Sequence, residues 1–124
     1  MTKLAWLAAA GAVGTLARYG VAGVVQRALG GAFPWGTLVV NAVGCLLFGL
    51  VWALAEERMV ISGETRAILL VGFMGAFTTF STFAFETSAM LRDAEWSFAL
   101  ANVLSQNVLG IACFFAGLAL GRVA

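Results

Sequence analysis

The sequence predicts an all-α membrane protein of four transmembrane helices, and three observations carry that prediction. Hydrophobic residues make up 62% of the 124 positions, only 10% are charged, and the mean hydropathy is +0.99. A soluble domain of this length needs far more charge on its surface, so lipid is the solvent this composition fits. The apolar residues fall into four runs, each near the 20 residues that a bilayer core of about 30 Å requires.

The first run covers 4–25. Lys3 followed by an apolar stretch and Ala8-Ala9-Ala10 imitates a signal peptide. The run continues past Gly11 and Val13 to spanning length, so it reads as a retained first helix. The second covers 36–55 and follows Pro34-Trp35, a helix-start proline beside an interfacial aromatic. The third covers 67–91 and the fourth 97–121, and the polar connections between the runs are too short to fold on their own. The whole chain therefore reads as one transmembrane domain. Small residues recur at helical spacing in it, among them Gly11 and Gly14, Gly72, Gly75 and Ala76, and Gly110, Gly117 and Gly121. Such faces let helix backbones approach closely where lipid offers no hydrophobic contrast. Four short helices enclose little interior, which predicts an oligomer.

Several function classes are excluded. A net charge of +1 offers no basic footprint for nucleic acid, and no partner of that kind is expected. The chain has no histidine, and Cys45 and Cys113 stand alone in apolar runs, so no nucleophile–base pair or metal constellation of an enzyme is visible. Four spans would place Lys3, Arg58, Arg66 and Arg122 on one side against Arg18, Arg27 and Arg92 on the other. That near-balance permits insertion in either orientation; the alternative is a single orientation set by Lys3 and the amino terminus.

Polar groups inside a span need a reason. The densest cluster is Thr78-Thr79-Phe80-Ser81-Thr82-Phe83 at the centre of the third run. Consecutive hydroxyl and β-branched residues favour alternative backbone hydrogen bonds, so this helix is expected to break at mid-membrane. A break frees carbonyls that can hold a small hard cation, and it is tolerated only against protein or a water-filled path. The blander reading has the hydroxyls bonding back to their own helix. Asn41 in the second run shares a face with Gly44, Phe48 and Trp52; Asn102, Gln106 and Gly110 stack at i, i+4, i+8 in the fourth. Either these amides only hold the bundle together or they share a path. Arg18 and Glu86, each read as lying toward a helix end, are expected at the rim or a vestibule. Amides, hydroxyls and phenyl edges with no charge between them point to a pore for a small anion, held weakly enough to leave.

The run Gly72-Phe73-Met74-Gly75-Ala76-Phe77-Thr78-Thr79-Phe80-Ser81-Thr82-Phe83 with Glu86 resembles the signature of the Fluc family of fluoride channels. Gly11-Ala12-Val13-Gly14 leading to Arg18-Tyr19, and Pro34-Trp35-Gly36-Thr37-Leu38-Val39-Val40-Asn41 with Gly44, are similar to that family's first two helices. The resemblance implies a passive channel that exports fluoride across the bacterial plasma or inner membrane and so protects against its toxicity. It implies an antiparallel, dual-topology homodimer with two fluoride paths. In it Asn41 would donate to fluoride, Phe80 and Phe83 would present ring edges, and Ser81 and Thr82 would lie near. It further implies a structural sodium ion held by the Gly75 and Thr78 carbonyls of both subunits. Gln106 is the candidate contact from the fourth helix. Two departures stand out: Ala76 where the family commonly has glycine, and Gly110 where it often has serine. The chief rival, a proton-coupled exporter resembling the small multidrug resistance family, needs a carboxylate in the first run, and that run has none. A structural subunit of a larger complex is the other rival, and it leaves the hydroxyl cluster without a purpose.

Overall fold

The structure, a computed structural model, describes residues 2–124. It is all-helical among those residues, with four helical stretches long and apolar enough to cross a membrane: Thr2–Leu29, Trp35–Glu57, Gly63–Arg92 and Trp96–Val123. Helix α1 spans Thr2–Leu29 and ends where Gly30 and Gly31 take φ of +64° and +80°, the left-handed conformation glycine adopts without steric cost. It outruns the expected end at residue 25 because hydropathy marks the lipid-facing stretch, whereas Gln26 and Arg27 keep the helical ladder outside it. The Gln26 amide then ties the loop, donating to Phe33 O at 3.0 Å and accepting from Gly36 N at 3.0 Å.

Helix α2 spans Trp35–Trp52 and widens into a π-type turn over Ala53–Glu57. Helix α6 spans Trp96–Val123, 28 residues or about 42 Å, longer than a hydrocarbon core is thick. These two pack most extensively. A Cβ on Gly49 would run into the Phe114 carbonyl, and one on Gly117 into the Leu46 carbonyl. The same device joins α1 to the third span, where a Cβ on Gly14 would meet the Phe73 carbonyl and one on Gly72 would lie 2.9 Å from the Ala10 Cβ. The large apolar side chains left exposed, such as Leu16, Val71, Phe85 and Ile111, suit lipid or a second subunit.

The third span is built from four pieces. Ser62 caps the short helix α3, Gly63–Ala67, and a π-type stretch follows over Ile68–Met74. Helix α4, Gly75–Phe77, ends at Thr78, and α5 runs Phe80–Arg92. Between them Thr78 (φ −85°, ψ 157°) and Thr79 (φ −151°, ψ 111°) are extended. The two helices on either side are thus offset by an unwound dipeptide.

Charged residues gather at one end of the bundle. Arg122 forms a two-point pair with Glu57 at 2.5 and 2.9 Å, Arg66 pairs with Glu56 and lies over the Trp52 ring, and Arg58 reaches Gly121 O.

Candidate functional site

The unwound dipeptide is held by α2. Asn41 Oδ1 accepts from Thr79 N at 2.8 Å, and Asn41 Nδ2 donates to Thr79 O at 3.0 Å. One side-chain amide thereby replaces both hydrogen bonds that the Thr79 residue would make in a continuous helix. Thr79 in turn caps α5: its Oγ1 accepts from Thr82 N at 3.2 Å and donates to Thr82 Oγ1 at 2.9 Å. The Thr78 hydroxyl bonds back to Met74 O at 2.9 Å, so one of the four hydroxyls follows the blander expectation.

These bonds divert donors from two carbonyls. Thr79 N would pair with Gly75 O in a continuous helix and Thr82 N with Thr78 O; they go instead to Asn41 and to the Thr79 hydroxyl. The Ala76 carbonyl is taken by Arg18 Nε at 3.0 Å. Arg18 therefore lies well inside α1 and braces the end of α4; it does not snorkel from a helix end. Its guanidinium is instead spent on a backbone carbonyl at the end of α4. Without it the flanking charges stand at Lys3, Arg58, Arg66 and Arg122 against Arg27 and Arg92.

Two clefts flank the break, and Thr79 lines both. The first, about 310 Å³, has Asn41, Gly44, Phe80, Phe83 and Gln106 among its walls, together with Cys45, Phe48, Thr78, Asn107 and Phe114. No charged side chain borders it. Gly44 is required there because a Cβ would strike the Thr78 methyl. The rings of Phe80 and Phe83 stand 5.5 Å apart between centroids at 59°. The second cleft, about 320 Å³, is lined by Arg18, Thr37, Thr82 and Glu86 among others. The structure thus separates the expected site residues. Asn41, Thr78, Phe80, Phe83 and Gln106 meet at one cleft, and Arg18, Thr82 and Glu86 at the other. Gly75 and Ser81 lie outside both linings and are exposed, as is Phe80, which is 77% exposed although it lines the first cleft.

The chain matches the family described as "CrcB-like protein, Camphor Resistance (CrcB)" over residues 5–118. The chain belongs to the CrcB-like family. Among its relatives, the fluoride-specific ion channel FluC of Nitrosococcus oceani is 60% identical over 121 residues, covering 98% of this chain and 97% of that one. The protein of the same name from Solidesulfovibrio magneticus is 58% identical over 123 residues (99% and 98%), and that from Desulforapulum autotrophicum 52% over 121 (98% and 97%).

Within this CrcB-like chain, sequence reasoning missed Thr79 as the residue common to both clefts. A signal was present, since threonine three residues before Thr82 at a helix start is an N-cap pattern. Asn102 also departs from the expected track. It is fully buried and donates to Thr87 Oγ1 at 2.9 Å, joining α6 to α5.

Proposed function

We propose that this chain is a passive fluoride-selective ion channel that works as a pair of oppositely inserted copies. The observation that carries the reading is the uncharged cleft beside the unwound Thr78–Thr79 dipeptide, walled by side-chain amides, those two threonines and the tilted pair Phe80 and Phe83. A small anion leaving water needs donors to replace its hydration, and amide N–H groups and the positive edges of phenyl rings supply them. A fixed cation there would bind too firmly for passage, and the cleft has none. The break at mid-membrane is what opens the polar wall. The relatives named as fluoride-specific channels, at up to 60% identity over nearly the whole chain, support fluoride as the ion. Asn41, Phe80, Phe83 and Gln106 border its path, with Ser81 and Thr82 near and Arg18 and Glu86 toward its vestibule.

The exposure of Gly75, Phe80 and Ser81 beside the break supports a second copy covering them. The Gly75 and Thr78 carbonyls fit a sodium ion, because both have lost their helical donors to Asn41 and Thr79. Bound between two copies, sodium would be held by these carbonyls of both and would tie the two breaks together. In a cell the path lets the negative membrane potential of the plasma or inner membrane drive fluoride out.

Efflux from liposomes tests the function. Purified protein should release trapped fluoride rapidly while chloride stays inside. Equal release of both ions, or release of neither, sinks the reading.

A further inference from the structure

A groove away from the break takes no part in the cleft. Gln106, Asn107 and Phe114 are the α6 residues that border the cleft. Phe98, Ala101, Ser105 and Leu109, spaced three or four apart and so sharing a different face of α6, border the groove. Trp35 and Leu38 of α2 form the facing wall, and the Phe33 ring links the two at one end, 4.7 Å from the Trp35 ring and 5.9 Å from that of Phe98. We propose that this groove, about 510 Å³, holds one phospholipid of the adjoining leaflet, with an acyl chain along α6 and the phosphate at the Gly31–Phe33 turn. The site goes beyond the fluoride reading and stands without it.

Composition, depth and donors together assign the occupant. Apart from the Trp35 indole, the one polar side chain on the wall is Ser105, and its hydroxyl is spent on Asn102 O at 3.3 Å. Such a wall suits a hydrocarbon chain and offers water almost nothing. From Phe98 to Leu109 the groove follows about 16 Å of helix, against about 15 Å for half a hydrocarbon core. Its aromatic end is also its polar end, as expected at a membrane interface. There Gln26 Nε2 takes the Gly31 and Phe33 carbonyls at 3.3 and 3.0 Å, while the N–H groups of Gly31, Ala32 and Phe33 meet no acceptor among the described residues. Successive N–H groups in a turn suit phosphate oxygens, which every phospholipid carries. A second copy over Gly75, Phe80 and Ser81 would sit against the third span, whereas the groove lies between α2 and α6 on a different face from the Phe80 cleft, so lipid remains its neighbour.

Trp35, on the groove wall, lets the site be read by fluorescence. Protein with Trp6, Trp52 and Trp96 each replaced by phenylalanine is reconstituted with phosphatidylcholine brominated on its acyl chains, then diluted into lipid-free detergent. A held lipid should keep Trp35 at least about twofold quenched after loosely bound lipid has left, and native mass spectrometry should find one phospholipid retained per chain. Ala101 is exposed, so Ala101→Phe fills the groove without meeting protein; it should abolish both signals while elution and fluoride efflux stay near wild type. Leu109→Ala needs no added bulk to be tolerated. It removes part of the wall and should speed the loss of quenching at least about twofold. Quenching that vanishes on dilution, no retained lipid in the wild type, equal retention in Ala101→Phe, or unchanged loss in Leu109→Ala would overturn the inference. A shift of Ala101→Phe toward monomer would also overturn it, giving the groove to a second copy.

Discussion

Asn41 on α2 grips both polar groups of Thr79, accepting from its N–H at 2.8 Å and donating to its carbonyl at 3.0 Å. Lipid offers an unwound dipeptide within a span no hydrogen bonds, so this grip is what makes the extended backbone at Thr79 tolerable. Asn41→Ala leaves two backbone groups unpaired, and we expect a loss of about 1–2 kcal/mol. Thermal unfolding of the purified protein in detergent checks this. An unchanged melting temperature would mean that the break is held by something other than Asn41.

The rings of Phe80 and Phe83, 5.5 Å apart, offer edges that an aliphatic side chain of similar bulk does not. Replacing either with isoleucine should abolish fluoride efflux while the protein still elutes as a dimer. Wild-type efflux from such variants would remove the rings from the path.

Arg18 donates from Nε to Ala76 O at 3.0 Å across the α1–α4 contact. Arg18→Leu abandons that carbonyl where α4 ends, at an expected cost of about 1–3 kcal/mol. Arg18→Lys should recover part of the loss, because an ammonium can reach the same oxygen without the guanidinium's planar geometry. Melting temperatures of the two variants should therefore rank wild type, lysine, leucine.

Much of this arrangement was legible in the sequence because lipid imposes coarse rules. Length and hydropathy alone delimit the four spans, and the adjacent threonines at Thr78 and Thr79 mark where the third departs from a helix. Individual partners were less legible. The sequence reads Arg18 toward a helix end because a charge in a span is ordinarily explained by snorkelling; its partner is a backbone carbonyl 58 residues away, which no side-chain pattern announces. Asn102, Gln106 and Gly110 do stack along α6, yet Asn102 turns to Thr87 and Gln106 to Asn41. Helical spacing places residues on a face, whereas the neighbouring helix decides which of them pair.

The Gly75 and Thr78 carbonyls cannot be removed by substitution, so the proposed sodium is tested by exchange. Replacing sodium with a bulky organic cation throughout purification should lower the melting temperature and shift the elution toward monomer, with recovery on adding sodium back. Identical behaviour in both buffers would leave those carbonyls to water or protein donors.

Two glycines at the α2–α6 contact should respond in opposite ways to the same change. At Gly49 an added Cβ would collide with the Phe114 carbonyl, and backbone cannot move aside as a side-chain tip can. Gly49→Ala must therefore push α6 away from α2 along the face that also carries Gly117, at a cost of about 1–3 kcal/mol or more. At Gly110 the nearest atom to a new Cβ is Cys45 Sγ at 3.5 Å, an ordinary van der Waals contact. Alanine also favours a helix interior over glycine by about 1 kcal/mol, so Gly110→Ala should hold or raise the melting temperature. Because the cleft is walled by both helices, Gly49→Ala should also disturb fluoride efflux by shifting Gln106 against Asn41, and Gly110→Ala should leave it near wild type. Equal losses of stability in the two variants would show that α2 and α6 are not packed backbone to backbone.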